Sequence, residues 1–273
     1  MITSNQNPKL KLVRALRGRA KERREAGAFL AEGVRLVEEA LAAGWLFRFV
    51  LYGSQLSERG KALVEKLEKL KVDVEQVDDA LLESVSETET SQGILAVLEL
   101  PPSDSRFPTP PNFLLIPDQI RDPGNLGTLI RSAAAAGAQA VLIPPETADA
   151  FSPKVVRAGM GAHFRLPVVS LGWDEIQAKI TGCAVFLADA GGQTSCWGAD
   201  FRQPLALIVG GEAEGASQSA RKLADRLVNI PMPGKIESLN AAAAGAILMF
   251  EVVRQRVYSK TFPMRSSRRN RDV

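Results

Sequence analysis

The chain of 273 residues is poor in the groups that most often carry enzyme chemistry: it has one histidine, His163, and two cysteines, Cys183 and Cys196. We read no histidine-based nucleophilic triad, because the sole candidate, His163, sits in GAHFRLPV as a surface or core residue. The cysteines are not in metal-ligand spacing and read as two reduced thiols, so no metal is expected. No apolar run approaches the ~18 residues of a membrane span. The start, MITSNQNPKLKLVR, lacks the apolar stretch of a secretory signal, which predicts a cytoplasmic protein with no membrane partner. Nucleotide-loop signatures are missing too. No G-x-G-x-x-G follows an early strand of the larger half, and the glycine pair Gly210 and Gly215 is followed by Ala216-Ser217 rather than Lys-Ser/Thr.

What is present is an uneven charge. Residues 1–25 carry a balance of +6 and residues 254–273 another +6, although the whole chain is only +3. Basic ends on an acidic body suit a polyanion that touches the ends. Hydrophobic content of 45% is that of a globular protein.

Pro101, Pro102, Pro108, Pro110 and Pro111 mark residues 101–111 as an extended linker. Residues 1–100 then form a smaller α/β domain, 112–260 a larger one, and 261–273 a basic tail. In the first, Leu10, Val13, Leu16 and Ala20 form a helical stripe. FLAEGVRLVEEALAAG predicts a second helix and residues 58–70 a third, while FRFVLYG, VDVEQV and GILAVLEL read as strands. In the second, NFLLIP, AQAVLI, HFRLPVV, CAVFLAD, LALIVG and LVNIPM are short apolar strands. A helix from about Asn125 to Gly137, one starting at Ser152-Pro153, one over 217–225 and a long one in LNAAAAGAILMFEVVRQRVY are interspersed. That alternation predicts a mostly parallel sheet covered on both faces.

Three segments put glycine, asparagine and small residues beside a polar side chain at the end of an apolar run. They are DQIRDPGNLGTLIRS from Asp118, GGEAEGAS from Gly210 and IPMPGKIESLNAAAAGAILMFE from Ile230. Strand ends are where α/β proteins bind ligands. Their order and spacing resemble the three signature motifs of the SpoU (TrmH-type) RNA ribose 2′-O-methyltransferases, members of the SPOUT class. The pieces NQNPKLKLVRAL, FLAEGVRLVEEAL and SQGILAV resemble the substrate-binding domain often fused in front of such enzymes, which is itself similar to ribosomal protein L30e.

The resemblance implies a trefoil-knotted, mostly parallel SPOUT domain behind a smaller α/β L30e-like domain. It implies S-adenosylmethionine as cofactor and a homodimer acting on RNA, ribosomal RNA rather than tRNA. Asn125 and Arg131 fall on N-x-G-x-x-x-R, where the family's arginine is the chief catalytic residue and the asparagine supports it. Glu212, Ser238 and Asn240 complete the catalytic set. Leu187, Gly210, Gly211, Ile230, Met232 and Leu239 are expected around the cofactor. The chain departs from the family strings at Gly211, Ala213, Ala216 and Ala242, the last removing a hydroxyl. A guanidinium stays protonated, so Arg131 is read as a clamp on an RNA phosphate, with a general-base role as the alternative. Rival readings are a non-catalytic RNA-binding protein of ribosome assembly, a tRNA 2′-O-methyltransferase and a base methyltransferase of the same class.

Overall fold

The structure, a computed structural model, describes residues 1–87, 92–101, 107–211, 215–234 and 236–261, the side chains of 258–261 excepted. Residues 102–106 of the linker, Glu212 to Glu214 and the tail from 262 lie outside it.

The front domain runs α1 (Pro8–Arg17), α2 (Ala20–Ala26), β1 (Ala28–Glu32), α3 (Val34–Ala42), β2 (Phe47–Tyr52), α4 (Glu58–Lys69), β3 (Val74–Gln76), α5 (Asp79–Val85) and β4 (Ile94–Glu99). Helix α1 starts where the Asn7 side chain accepts from Lys9 N and Pro8 supplies a pre-set φ. Its stripe Leu10, Val13 and Leu16 is buried. The predicted second helix is corrected here. FLAE is not helical but lies in β1, antiparallel to β4, and Gly33 at φ 98° separates it from α3. The four-stranded sheet has the order β1-β4-β2-β3 and is mixed, with only β2–β3 parallel.

The rear domain runs β5 (Phe113–Asp118), α6 (Pro123–Ala135), β6 (Ala140–Ile143), α7 (Pro153–Gly159), β7 (Val168–Ser170), α8 (Trp173–Lys179), β8 (Ala184–Ala188), β9 (Thr194–Ser195), β10 (Leu205–Gly210), α9 (Gln218–Leu223), β11 (Arg226–Asn229) and α10 (Ala241–Thr261). Its seven strands are all parallel, in the order β7-β6-β5-β10-β8-β11-β9. Strand β10 thus inserts late between β5 and β8, after which the chain passes outside β8 to form β11 and α10 folds back over α6 and β10. HFRLP is not strand; Ala162–Phe164 is a 3-10 turn and β7 begins at Val168.

Two apolar layers sandwich the rear sheet. Leu115, Leu207 and Val209 share one core with Leu129 of α6 and Leu248 of α10. Leu114, Ile208 and Leu187 share the other with Ile176 of α8 and Ala220 of α9. The two domains meet through aromatics. Phe29 of β1 lies with its ring centroid 5.0 Å from Phe151 and 6.0 Å from Trp45, which in turn stands 5.2 Å from Phe164. No helix among the described residues is long and apolar enough to cross a membrane. Both cysteines are free thiols.

Candidate active site

Parallel strands all end on one edge, and the ends of β8, β10 and β11 surround a pocket of about 290 Å³. Ala188, Val209, Val228, Ile230, Leu239 and Leu248 give it an apolar lining. Gly210, Gly211, Met232 and Ser238 also border it. The glycines are needed because the loop after β10 returns tightly on itself, with Gly211 bridging Gly215. A Cβ on Gly210 would lie 2.8 Å from Ala216 N, and one on Gly211 would lie 2.5 Å from Gln119 O. Either contact is far inside van der Waals distance, so the first and second motif loops abut backbone to backbone.

Leu187 does not line this pocket. Alternate residues of a strand face opposite sides, and Leu187 is fully buried in the layer that holds Ile176 and Ala220. Its neighbours Ala188, Asp189 and Ala190 border the pocket instead.

Asn125 and Asn240 are 115 residues apart in sequence, and Asn240 Nδ2 donates to Asn125 Oδ1 at 3.0 Å. Asn240 also caps α10, its Oδ1 accepting from Ala242 N at 3.0 Å and Ala243 N at 3.1 Å. Asn125 is not a cap. That role belongs to Asp122, whose Oδ1 accepts from Asn125 N at 2.7 Å, so α6 begins at Pro123 and the Asn125 amide is left to face the third motif. Arg131 lies on the same helix, exposed, and makes no hydrogen bond or ion pair among the described residues. Glu212, also expected in the catalytic set, lies outside them.

Sequence reasoning missed two acidic groups. Asp118 ends β5 fully buried, with Oδ2 accepting from Ser217 N at 2.6 Å and Oδ1 unpartnered. Burial raises its pKa against the Ser217 hydrogen bonds that lower it. It therefore pins the second motif loop from below, where Ser217 caps α9 through its hydroxyl on Ala220 N. Asp189, at the pocket edge, forms a 2.8 Å ion pair with Arg221 of α9. The only clue in the sequence was position, at the end of an apolar run.

His163 is a core residue. Its Nε2 meets Ala150 O at 2.8 Å, and desolvation lowers its pKa to about 4. The ring is neutral and donates to the carbonyl, which leaves it no part in proton transfer at the pocket.

Comparison with known proteins agrees with this geometry. The family profile described as "SpoU rRNA Methylase family" matches residues 112–250, and the "MRM3-like substrate binding domain" matches residues 7–96. The 23S rRNA (uridine(2479)-2′-O)-methyltransferase of Streptomyces viridochromogenes is 36% identical over 272 residues, spanning 95% of this chain and 94% of that one. The 23S rRNA (guanosine(2553)-2′-O)-methyltransferase RlmP of Bacillus subtilis is 35% identical, spanning 92% and 98%. The crystal structure of the SpoU methyltransferase AviRb from S. viridochromogenes with AdoMet superposes with a TM-score of 0.84 at 34% identity, covering 92% of this chain and 99% of that one.

Proposed function

The chain belongs to the SpoU rRNA methylase family, and from that membership we propose that it methylates a ribose 2′-hydroxyl of ribosomal RNA using S-adenosylmethionine. The observation that carries the reading is the meeting of all three motifs at one strand edge: Asn125 bonded to Asn240, and Gly211 packed on Gln119.

The pocket suits the cofactor. Its walls are apolar where an adenine would lie, and its glycines remove the side chains that would fill it. Gly210, Gly211, Ile230, Met232 and Leu239 would hold the nucleoside, and Ser238 adds a hydroxyl. When bound, the cofactor supplies a methyl group on a positively charged sulfur. The chain's own part is to place the acceptor. Arg131, an exposed and permanently charged fork, clamps a phosphate beside the target ribose and favours negative charge growing on the 2′-oxygen. Asn125 and Asn240 fix the start of its helix against α10. Glu212 is proposed to steady Arg131.

The reading extends to a cytoplasmic homodimer. Ala243, Ile247, Phe250 and Val257 make an exposed stripe at helical spacing on α10, with Phe250 50% and Val257 53% exposed. A second copy of the chain covering that stripe would remove an otherwise unexplained apolar face from water. Residues 1–100 act as the RNA-binding domain, 101–111 as the linker and 112–260 as the catalytic domain, with the basic tail 261–273 adding RNA affinity.

The test is to map 2′-O-methylation across the host's ribosomal RNA with and without the protein. Loss of one methylated ribose supports the proposal. Unchanged ribosomal RNA with a lost tRNA mark favours the tRNA reading. No change anywhere, with no binding of S-adenosylhomocysteine, leaves the non-catalytic assembly protein.

A further inference from the structure

Arg23 is the one buried arginine of the basic front helices, only 3% exposed, while Arg19 and Arg24 around it are exposed and the exposed Lys21 pairs with Glu25 at 3.6 Å. Its side chain leaves the front domain. Nε and Nη2 meet Asp149 Oδ2 of the rear domain at 2.6 and 2.5 Å, and Nη1 donates to Leu16 O at 2.5 Å and Gly18 O at 3.0 Å. Each guanidinium nitrogen is therefore engaged, and the fork spans the two domains.

The rear end of this clasp is tied to the active-site edge. Two residues before Asp149, Thr147 Oγ1 accepts from Gln119 N at 3.1 Å and donates to Pro117 O at 2.9 Å, and Ala148 N donates to Ile120 O at 2.9 Å. Gln119 is the residue against which Gly211 packs. A continuous run of hydrogen bonds and backbone contact thus leads from α2 to the cofactor loop.

We propose that the Arg23–Asp149 clasp is a positioning device for RNA. It holds the exposed guanidinium groups of Arg19 and Arg24, on either side of Arg23, at a fixed distance from the first motif, so that one RNA backbone is gripped by both domains at once. The aromatic contacts between the domains supply adhesion, which is non-directional. The ion pair supplies register, since its geometry is satisfied in one arrangement only. Arg23 and Asp149 touch neither cofactor nor ribose; they act through where they set Arg19 and Arg24. The proposal rests on the reading of the chain as an RNA methyltransferase.

In-vitro-transcribed 23S rRNA is the probe, with filter binding, methyl transfer from labelled S-adenosylmethionine and calorimetry of S-adenosylhomocysteine on the full chain. In Asp149→Asn and Arg23→Met, S-adenosylhomocysteine affinity should stay within about twofold. RNA affinity should fall about tenfold and turnover at saturating RNA should fall with it, because the ribose is held less well. Arg24→Ala, which removes only an outward charge, should weaken RNA binding and lower the salt slope by about one. Either clasp variant, counted by its S-adenosylhomocysteine sites, matching wild type in both RNA affinity and saturating turnover overturns the proposal. So does a clasp variant that weakens RNA binding yet turns over at the wild-type rate at saturating RNA. If the wild type binds the transcript without methylating it, the enzymatic reading fails, and the RNA-affinity arm still decides the clasp.

Discussion

The front and rear domains are both α/β, yet they pack by different means. In the front domain the tight glycines face flexible side chains: a Cβ on Gly60 would meet Leu56 Cδ2 at 2.9 Å, and one on Gly53 would meet Asp79 Oδ1 at 2.4 Å. In the rear domain the tight glycines of the motif loops face backbone, although Gly159 and Gly245 meet the side chains of His163 and Leu129. A Cβ on Gly127 of α6 would lie 2.7 Å from Val155 O, one on Gly192 3.0 Å from the Leu227 backbone, and one on Gly210 2.8 Å from Ala216 N. A side chain can turn aside, whereas a strand end or loop backbone cannot without moving the element that carries it. The front domain is accordingly a scaffold tolerant of small changes. The rear one holds its motif loops directly against main chain.

The largest expected effect breaks that contrast at its sharpest point. Gly210→Val places a branched side chain where the loop's own backbone already lies, so S-adenosylhomocysteine binding should be lost to calorimetry in a protein that still folds. Gly60→Ala, with comparable crowding against a leucine tip, should bind as wild type. Equal behaviour of the two variants would dissolve the distinction.

Arg131→Ala comes next. Loss of a preorganised charged donor typically costs about 10²–10³ in rate, or ~2.7–4 kcal/mol. Cofactor affinity should be unchanged, and Arg131→Lys should recover only part of the rate, since it keeps the charge but not the planar fork. Single-turnover methyl transfer would measure both. Near-wild-type turnover in Arg131→Ala would remove this residue from the mechanism and return the rear domain to being a binding fold.

How much of this was legible in the sequence follows the same division. Apolar runs announced β5, β6, β8 and β10 because strands buried on both faces need no alternation. Amphipathic spacing announced α1 and α4. FLAE misled because its apolar residues continue in phase with the helix beyond Gly33, and only the pairing of β1 with β4 shows it to be a strand. The site was legible as three strings but not as a geometry. The Asn125–Asn240 bond joins segments that no local pattern connects. Leu187 was misjudged by one residue, which on a strand reverses the face. Asp118 and Asp189 carried no periodic signal, and the Arg23–Asp149 clasp joins two ordinary charges from separate domains.

Acid should separate the domains by stability. His163 is buried and neutral, with Nδ1 unpartnered and Gly159 so close that a Cβ there would lie 2.8 Å from that atom. Its folded pKa is about 4, below the ordinary 6.5 of the unfolded chain. Between those values the unfolded state binds the proton and the folded state does not. Stability is therefore full above pH 6.5 and declines as pH falls toward 4, by about 3 kcal/mol at the lower end. Urea unfolding at pH 7 and pH 4.5 should show the loss, and His163→Gln should flatten it. A pH slope unchanged by that substitution would assign the loss to carboxylates instead.

The smallest effect tests whether the rear domain's polar contacts serve the fold or the site. Asn240 does two jobs with one side chain: its oxygen caps α10 and its amide holds Asn125. Serine caps about as well as asparagine, but its single hydroxyl is too short to keep the second contact. Asn240→Ser should therefore unfold close to wild type yet turn over several-fold more slowly, since a lost hydrogen bond of about 1 kcal/mol corresponds to roughly fivefold. Asn240→Ala should show the same kinetic loss plus a stability loss of about 1 kcal/mol from the missing cap. Thermal unfolding and saturating turnover on the two variants separate the roles. If serine restores turnover along with stability, the contact to Asn125 is only a by-product of capping, and α10 reaches the first motif through packing of Gly245 against Leu129 alone.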